Sequence, residues 1–206
     1  MLMAVSEIDI VCGALLHAGL DPIASFDEDS KSARTAKIMY PGARDAMLRM
    51  HSWNFAKKRV ALAQDTNLPA SGFDFQYILP ADFVMMGKGD DAHRDWSIER
   101  TDNGMRLLTN ETSIVISYYA LITDPNQWDT IFRECLEHWI ASKFASALRN
   151  APQVAAALEN EYKELLRLAR VQNAHEDPMA EFKDDDLTRA RNRGYSSMIP
   201  WDMSTP

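Results

Sequence analysis

The chain has little cysteine, no long apolar run and no concentration of basic residues. It carries 2 cysteines, Cys12 and Cys135, in 206 residues. That is too few for a disulfide scaffold, and a chain of this length buries about 70% of the surface its unfolded form exposes, so it needs no staples. Both cysteines fall on apolar faces of expected helices, where a buried free thiol is common, and a reduced intracellular protein is the simpler expectation. No apolar stretch approaches ~20 residues, the length a helix needs to span a membrane. Glu7 and Asp9 precede the first apolar run, where a signal peptide would be basic. The 30 acidic residues outnumber the 22 basic ones, giving a net charge of -8. Gripping nucleic acid by phosphate neutralisation needs clustered Lys and Arg, so this balance argues against such a surface.

Motifs that carry chemistry are equally sparse. Cys135 and His138 have ligand-like spacing, but no second Cys or His pair answers them, and zinc takes about four such ligands. Asp184-Asp185-Asp186 reads as a solvated acidic run. Gly87-Lys88-Gly89 lacks the remaining residues of a phosphate loop and reads as a turn. No serine sits in a Gly-x-Ser-x-Gly elbow. Glu134 and Glu137 lie one helical turn apart and read as surface charge, because catalytic carboxylates usually face each other from separate elements. No catalytic residue, metal ligand or cofactor is assigned.

What is present is periodic structure. Ile8, Val11, Cys12, Leu15 and Leu16 form an apolar stripe behind a Ser6-x-x-Asp9 cap, and Gly19 closes the helix. Asp27, Glu28 and Asp29 stand where they would cap a second helix. Pro41 predicts a kink or break in it. From Tyr40 to Ala63 the apolar period falls from about 3.6 to about 2, so helix gives way to strand. Trp53 and Phe55 stand at that change and are expected to pin the helical layer to a sheet, since each aromatic buries ~150–250 Å². Alternation over 59–120 predicts a β-region, with a hairpin at Asp102-Asn103-Gly104. Trp128, Phe132, Cys135, Leu136, Trp139, Ile140, Phe144 and Leu148 make a face too wide for a surface helix, so that helix should be central. Asn150-Ala151-Pro152 marks a break, and Val154, Leu158, Tyr162, Leu165 and Ala169 begin a new stripe. The expected fold is α+β. N- and C-terminal helices over 6–18, 29–57, 128–149 and 153–172 form a bundle with an inserted antiparallel β-meander. Residues 1–173 would form one domain, and 174–206 an extended C-terminal tail.

Ordered groups of residues carry a resemblance. They are Leu20-x-Pro22-Ile23-x-Ser25-Phe26, Ala33-x-x-Ala36, Tyr40-Pro41, Ala43-Arg44-Asp45, His51-x-Trp53-Asn54-Phe55-Ala56 and Arg59-x-x-Leu62-Ala63. Pro69, Gly72-Phe73, Tyr77, Leu79-Pro80-Ala81-Asp82, Tyr118-Tyr119 and Asp124-Pro125 follow in the same order. Over roughly residues 5–150 the chain resembles the tail tubular protein A family of short-tailed phages. The resemblance implies a structural virion protein rather than an enzyme, the adaptor at the head-tail junction. It implies a dodecameric ring, assembled in the host bacterial cytoplasm, that joins the portal protein to the tail nozzle (tail tubular protein B-like). DNA would pass through without specific binding, and no membrane is involved.

The tail does not match the family pattern. Its Arg189, Arg191, Arg193, Tyr195, Ile199 and Trp201 are expected to dock on the portal, because aromatic anchors carry much of an interface's energy. Two other classes remain open. A tail-associated polysaccharide or peptidoglycan hydrolase would reveal itself by turnover. A DNA-contacting head-completion plug would show binding that weakens steeply with salt.

Overall fold

The computed structural model describes residues 4–70, 72–87 and 95–176, in the order helix–helix–strands–helix–helix. Helix α1 spans Glu7–His17. Its capping box is complete: Ser6 Oγ accepts from the Asp9 amide at 3.2 Å, and Asp9 Oδ2 accepts from the Ser6 amide at 2.8 Å. At the other end Gly19 takes φ +70°. The Gly19 amide then donates to Leu16 O and the Leu20 amide to Leu15 O, satisfying two carbonyls that would otherwise be orphaned.

Helix α2 spans Lys31–Met50 and differs from expectation at three points. Its cap is Ser30, whose Oγ accepts from the Ala33 amide at 3.1 Å. Asp27 and Asp29 instead pair with Lys37 and Arg34. The helix runs unbroken through Pro41. Pro41 and Lys37, one turn before it, are both exposed, so the carbonyl that proline leaves without a donor can be hydrated. Finally, α2 stops at Met50 rather than reaching residue 57. The backbone turns extended at His51, and Trp53 folds back so that its indole Nε1 donates to Met47 O at 3.0 Å. That bond occupies one of the last four carbonyls, which a continuing helix would have used. A single 3-10 turn, Asn54–Ala56, leads into the sheets.

Six strands follow: β1 Lys57–Ala61, β2 Phe75–Ile78, β3 Phe83–Met86, β4 Trp96–Thr101, β5 Gly104–Thr109 and β6 Val115–Ala120. They form two three-stranded sheets, ordered β1-β6-β3 and β2-β5-β4. Every pairing is antiparallel, as expected of the inserted region. The connectivity is not that of a meander. Among the described residues only β4 and β5 pair as chain neighbours, through the Asp102-Asn103 turn with Gly104 at φ +104°. The chain leaving β1 bonds to the second sheet, where the Ile78 amide donates to Ala63 O and the Asp65 amide to Gln76 O. Arg106 on β5 fixes that crossing. Its Nε lies 2.6 Å from Asp65 Oδ2, and both side chains are less than a tenth exposed. This guanidinium and the Asn67 amide hold the Asp65 carboxyl below its ordinary range.

Helix α3, Thr130–Ala147, is the central helix the sequence predicts. Phe132, Cys135, Leu136, Ile140 and Phe144 are buried along it. It packs against α1, α2 and the last helix, α4, Pro152–Glu176. Asn150 makes the break at φ +52°. One apolar core joins the helices to both sheets.

Candidate assembly surface

The residues singled out at the change of period lie at the joint between α2, α3 and β1. Trp53 is 2% exposed. Its ring meets that of Phe132 edge-on at 5.0 Å and stacks with Phe55 at 6.0 Å. Phe132 also meets Phe55 and Trp128 edge-on, at 5.0 and 5.3 Å. Offset and edge-on rings add ~0.5–1.5 kcal/mol per pair beyond their buried area. The Trp128 Nε1 donates to Ile122 O at 3.0 Å, so both buried indoles have partners.

Asn173 holds this joint from the far end of the chain. The helix stripe gave no reason to select it, and the fourth helix was expected to end there. Instead α4 continues to Glu176, and Asn173 is buried. Its Oδ1 accepts from the Asn54 amide at 2.8 Å, its Nδ2 donates to Ser52 O at 2.8 Å, and its carbonyl accepts from Asn54 Nδ2 at 2.7 Å. These bonds supply partners for backbone that has left both helix and sheet. Beside them lies a cleft of about 230 Å³ with Trp53, Phe55, Phe132, Gln172 and Glu176 among its lining.

A second joint is built around Asp82. The Tyr118 hydroxyl donates to Asp82 Oδ1 at 3.0 Å, Lys58 Nζ stands 2.7 Å from Oδ2, and the Leu121 amide donates to the Asp82 carbonyl. Burial works to raise the carboxyl, but the bonds from Lys58 and Tyr118 outweigh it and hold Asp82 below its ordinary range. The same contact, with burial as the larger cause, pushes Tyr118 up to about 12. A groove of about 740 Å³ opens near it, lined by segments of both sheets and by Arg49. Arg49 does not pair with Asp45, its neighbour one turn away. Its Nη1 donates to Val84 O, and Asp45 pairs with Arg44.

The outer face of α4 exposes Leu168 (49%) and Val171 (47%), which share one side of the helix. The six residues expected to dock on a portal, Arg189, Arg191, Arg193, Tyr195, Ile199 and Trp201, lie outside the described residues. Glu137 is a correction to the surface-charge reading. It sits on the face of α3 toward α1, with 23% of its side chain exposed. Glu134, one turn away, is exposed as expected. Among the described residues no group of three or more His, Cys, Asp or Glu side chains is placed to hold a metal ion, and no helix is long and apolar enough to cross a membrane.

The chain matches no family model, and no curated protein matches it.

Proposed function

We propose that this chain is a ring-forming adaptor of a short phage tail, similar to tail tubular protein A, set between a portal and a tail nozzle. The observation that carries the reading is the position of the residues on which the resemblance rests. Trp53 closes the end of α2, Asp82 ties β1 to β6, and Asp124 caps the turn that leads to α3. These are framework residues at joints between layers, and what they hold constant is a shape. A subunit whose work is to fit its neighbours depends on shape in this way. The net charge of -8 suits a ring whose channel passes DNA without holding it, because phosphates are repelled rather than bound.

A closed homo-oligomeric ring needs a heterologous interface, in which two different faces of each subunit meet. The broad helix pair α3 and α4 is assigned one of those faces, with Leu168 and Val171 as its exposed apolar contacts. Replacing both with Asp should abolish ring formation. The isolated subunit should keep its melting temperature, since exposed substitutions away from caps and buried networks usually cost within ~0.5 kcal/mol. Native mass of the full-length chain, alone and with its portal, tests the reading. A dodecamer of 23.3 kDa chains on the portal is the expected species. A chain that stays monomeric with the portal, yet shifts duplex DNA in a salt-dependent manner, overturns the adaptor reading in favour of a plug.

A further inference from the structure

The seam between α1 and α3 includes a cluster of titratable side chains from three helices. The His17 ring of α1 lies 4.3 Å from the His138 ring of α3. Glu137 of α3 places Oε2 3.9 Å from His17 Nε2, beyond hydrogen-bond reach. Glu161 of α4 places Oε2 3.4 Å from His138 Nδ1, a buried nitrogen that makes no hydrogen bond. The Glu137 carboxyl lies directly on the backbone of α1. A β-carbon at Gly13 would stand 2.6 Å from Glu137 Oε2, so the carboxyl fills the space beside that glycine and would have to swing aside for a larger residue. The remaining charges near Glu137 are Glu134 and Arg133 on its own helix. His138 is faced by His17, Glu161 and Glu134. Arg149 lies at the end of α1, where its Nη1 donates to Ala18 O at 3.1 Å.

A carboxyl pressed against a helix, accepting no hydrogen bond among the described residues, fits there best while it is neutral. We propose that the seam is a proton-operated latch, in which α1 is held on α3 while Glu137 is neutral and loosens when Glu137 ionises. Burial first, and the Glu134 charge second, push the Glu137 carboxyl up to about 7, so the change falls near neutrality. His138 does not offset it. Burial, and then the facing His17, hold His138 below the ordinary imidazole range, so it offers no cation as Glu137 loses its proton.

Two thiols report the two ends of such a motion. Cys12 lies on α1, half-buried, with Sγ donating to Ile23 O at 3.2 Å. Cys135 is fully buried in α3. Release of α1 exposes Cys12 alone, whereas global unfolding exposes both. The test is the rate at which dithiodipyridine modifies each cysteine in the full chain, read by peptide mass for wild type, Glu137→Gln and His138→Gln. At pH 4, below the ordinary glutamate value, wild type and Glu137→Gln should modify Cys12 at nearly equal rates. At pH 8.5 wild type should react about tenfold faster than Glu137→Gln, as expected when charge on a buried carboxyl favours the open form. Cys135 should stay slow in both, and His138→Gln should keep the wild-type profile. Equal Cys12 rates at pH 8.5 overturn the latch. So do Cys12 and Cys135 rates that rise together, or a His138→Gln variant that loses the pH dependence.

Discussion

Replacing Trp53 with alanine should lower the free energy of unfolding by about 3–5 kcal/mol, the usual cost of emptying a core site built for an aromatic. Three contributions act together at this position. The indole is buried to 2% exposure, so its apolar transfer energy is lost. Its ring contacts with Phe132 and Phe55 go with it. Its Nε1 bond to Met47 O also goes, leaving a carbonyl at the end of α2 to find another donor. A Trp53→Phe variant separates these contributions. It keeps most of the ring area and removes the donor, so it should cost much less than the alanine. Urea unfolding of the three proteins checks the order. A Trp53→Ala protein that melts like wild type would mean that the joint between α2, α3 and β1 is held by other contacts, with the Asn173 bonds the first place to look.

The helices were legible because their signals are local. The stripe of α1, its Ser6-x-x-Asp9 cap and the Gly19 stop all lie within a few residues of the structure they dictate. The width of the α3 face told its central place, and the burial of Trp53 followed from its place at the change of period and its size. The Asp102-Asn103-Gly104 hairpin was legible for the same local reason. Strand order was not. β6 pairs with β1 and β3, and Lys57 finds Tyr119 as its partner, so the register is fixed by contacts far apart in sequence. Pro41 misled because proline breaks a helix through a carbonyl left without a donor, and here that carbonyl belongs to the exposed side of α2. The segment that leaves α2 is held by Asn173, whose partner Asn54 lies 119 residues away, and no periodicity could point to it. Glu137 was read as surface charge because its own helix gives no hint otherwise. Its carboxyl is covered by α1, beside Gly13, which lies far from it in sequence. Trp53 and Phe55 of the candidate site were found where the change of period put them, while the tail residues lie outside the described residues.

Replacing Glu137 with glutamine should stabilise the protein at pH 8 and leave it nearly unchanged at pH 4. The carboxyl titrates at about 7 in the folded chain against 4.5 for an unperturbed glutamate. The native state therefore holds this proton over a range in which the unfolded state has given it up. Stability is lost as pH rises from about 4.5 to about 7, and above that the deficit is complete. Each tenfold difference in proton affinity corresponds to about 1.4 kcal/mol. Allowing for the 23% of the side chain that faces solvent, the deficit at pH 8 is roughly 2–3 kcal/mol. Glutamine has the shape of the neutral acid and no proton to lose, so the variant carries no such deficit. His138 has the opposite sign. Its depressed value makes stability fall as pH drops below the ordinary imidazole value of about 6.5. That contribution is common to both proteins and cancels in their difference. Urea midpoints of wild type and Glu137→Gln at pH 4 and pH 8 measure the difference directly. A glutamine variant less stable than wild type at pH 8 would mean that the ionised carboxylate gains more from a cation, with Arg133 the nearest on its own helix, than it loses by burial, and the latch at Gly13 would then close with charge rather than open.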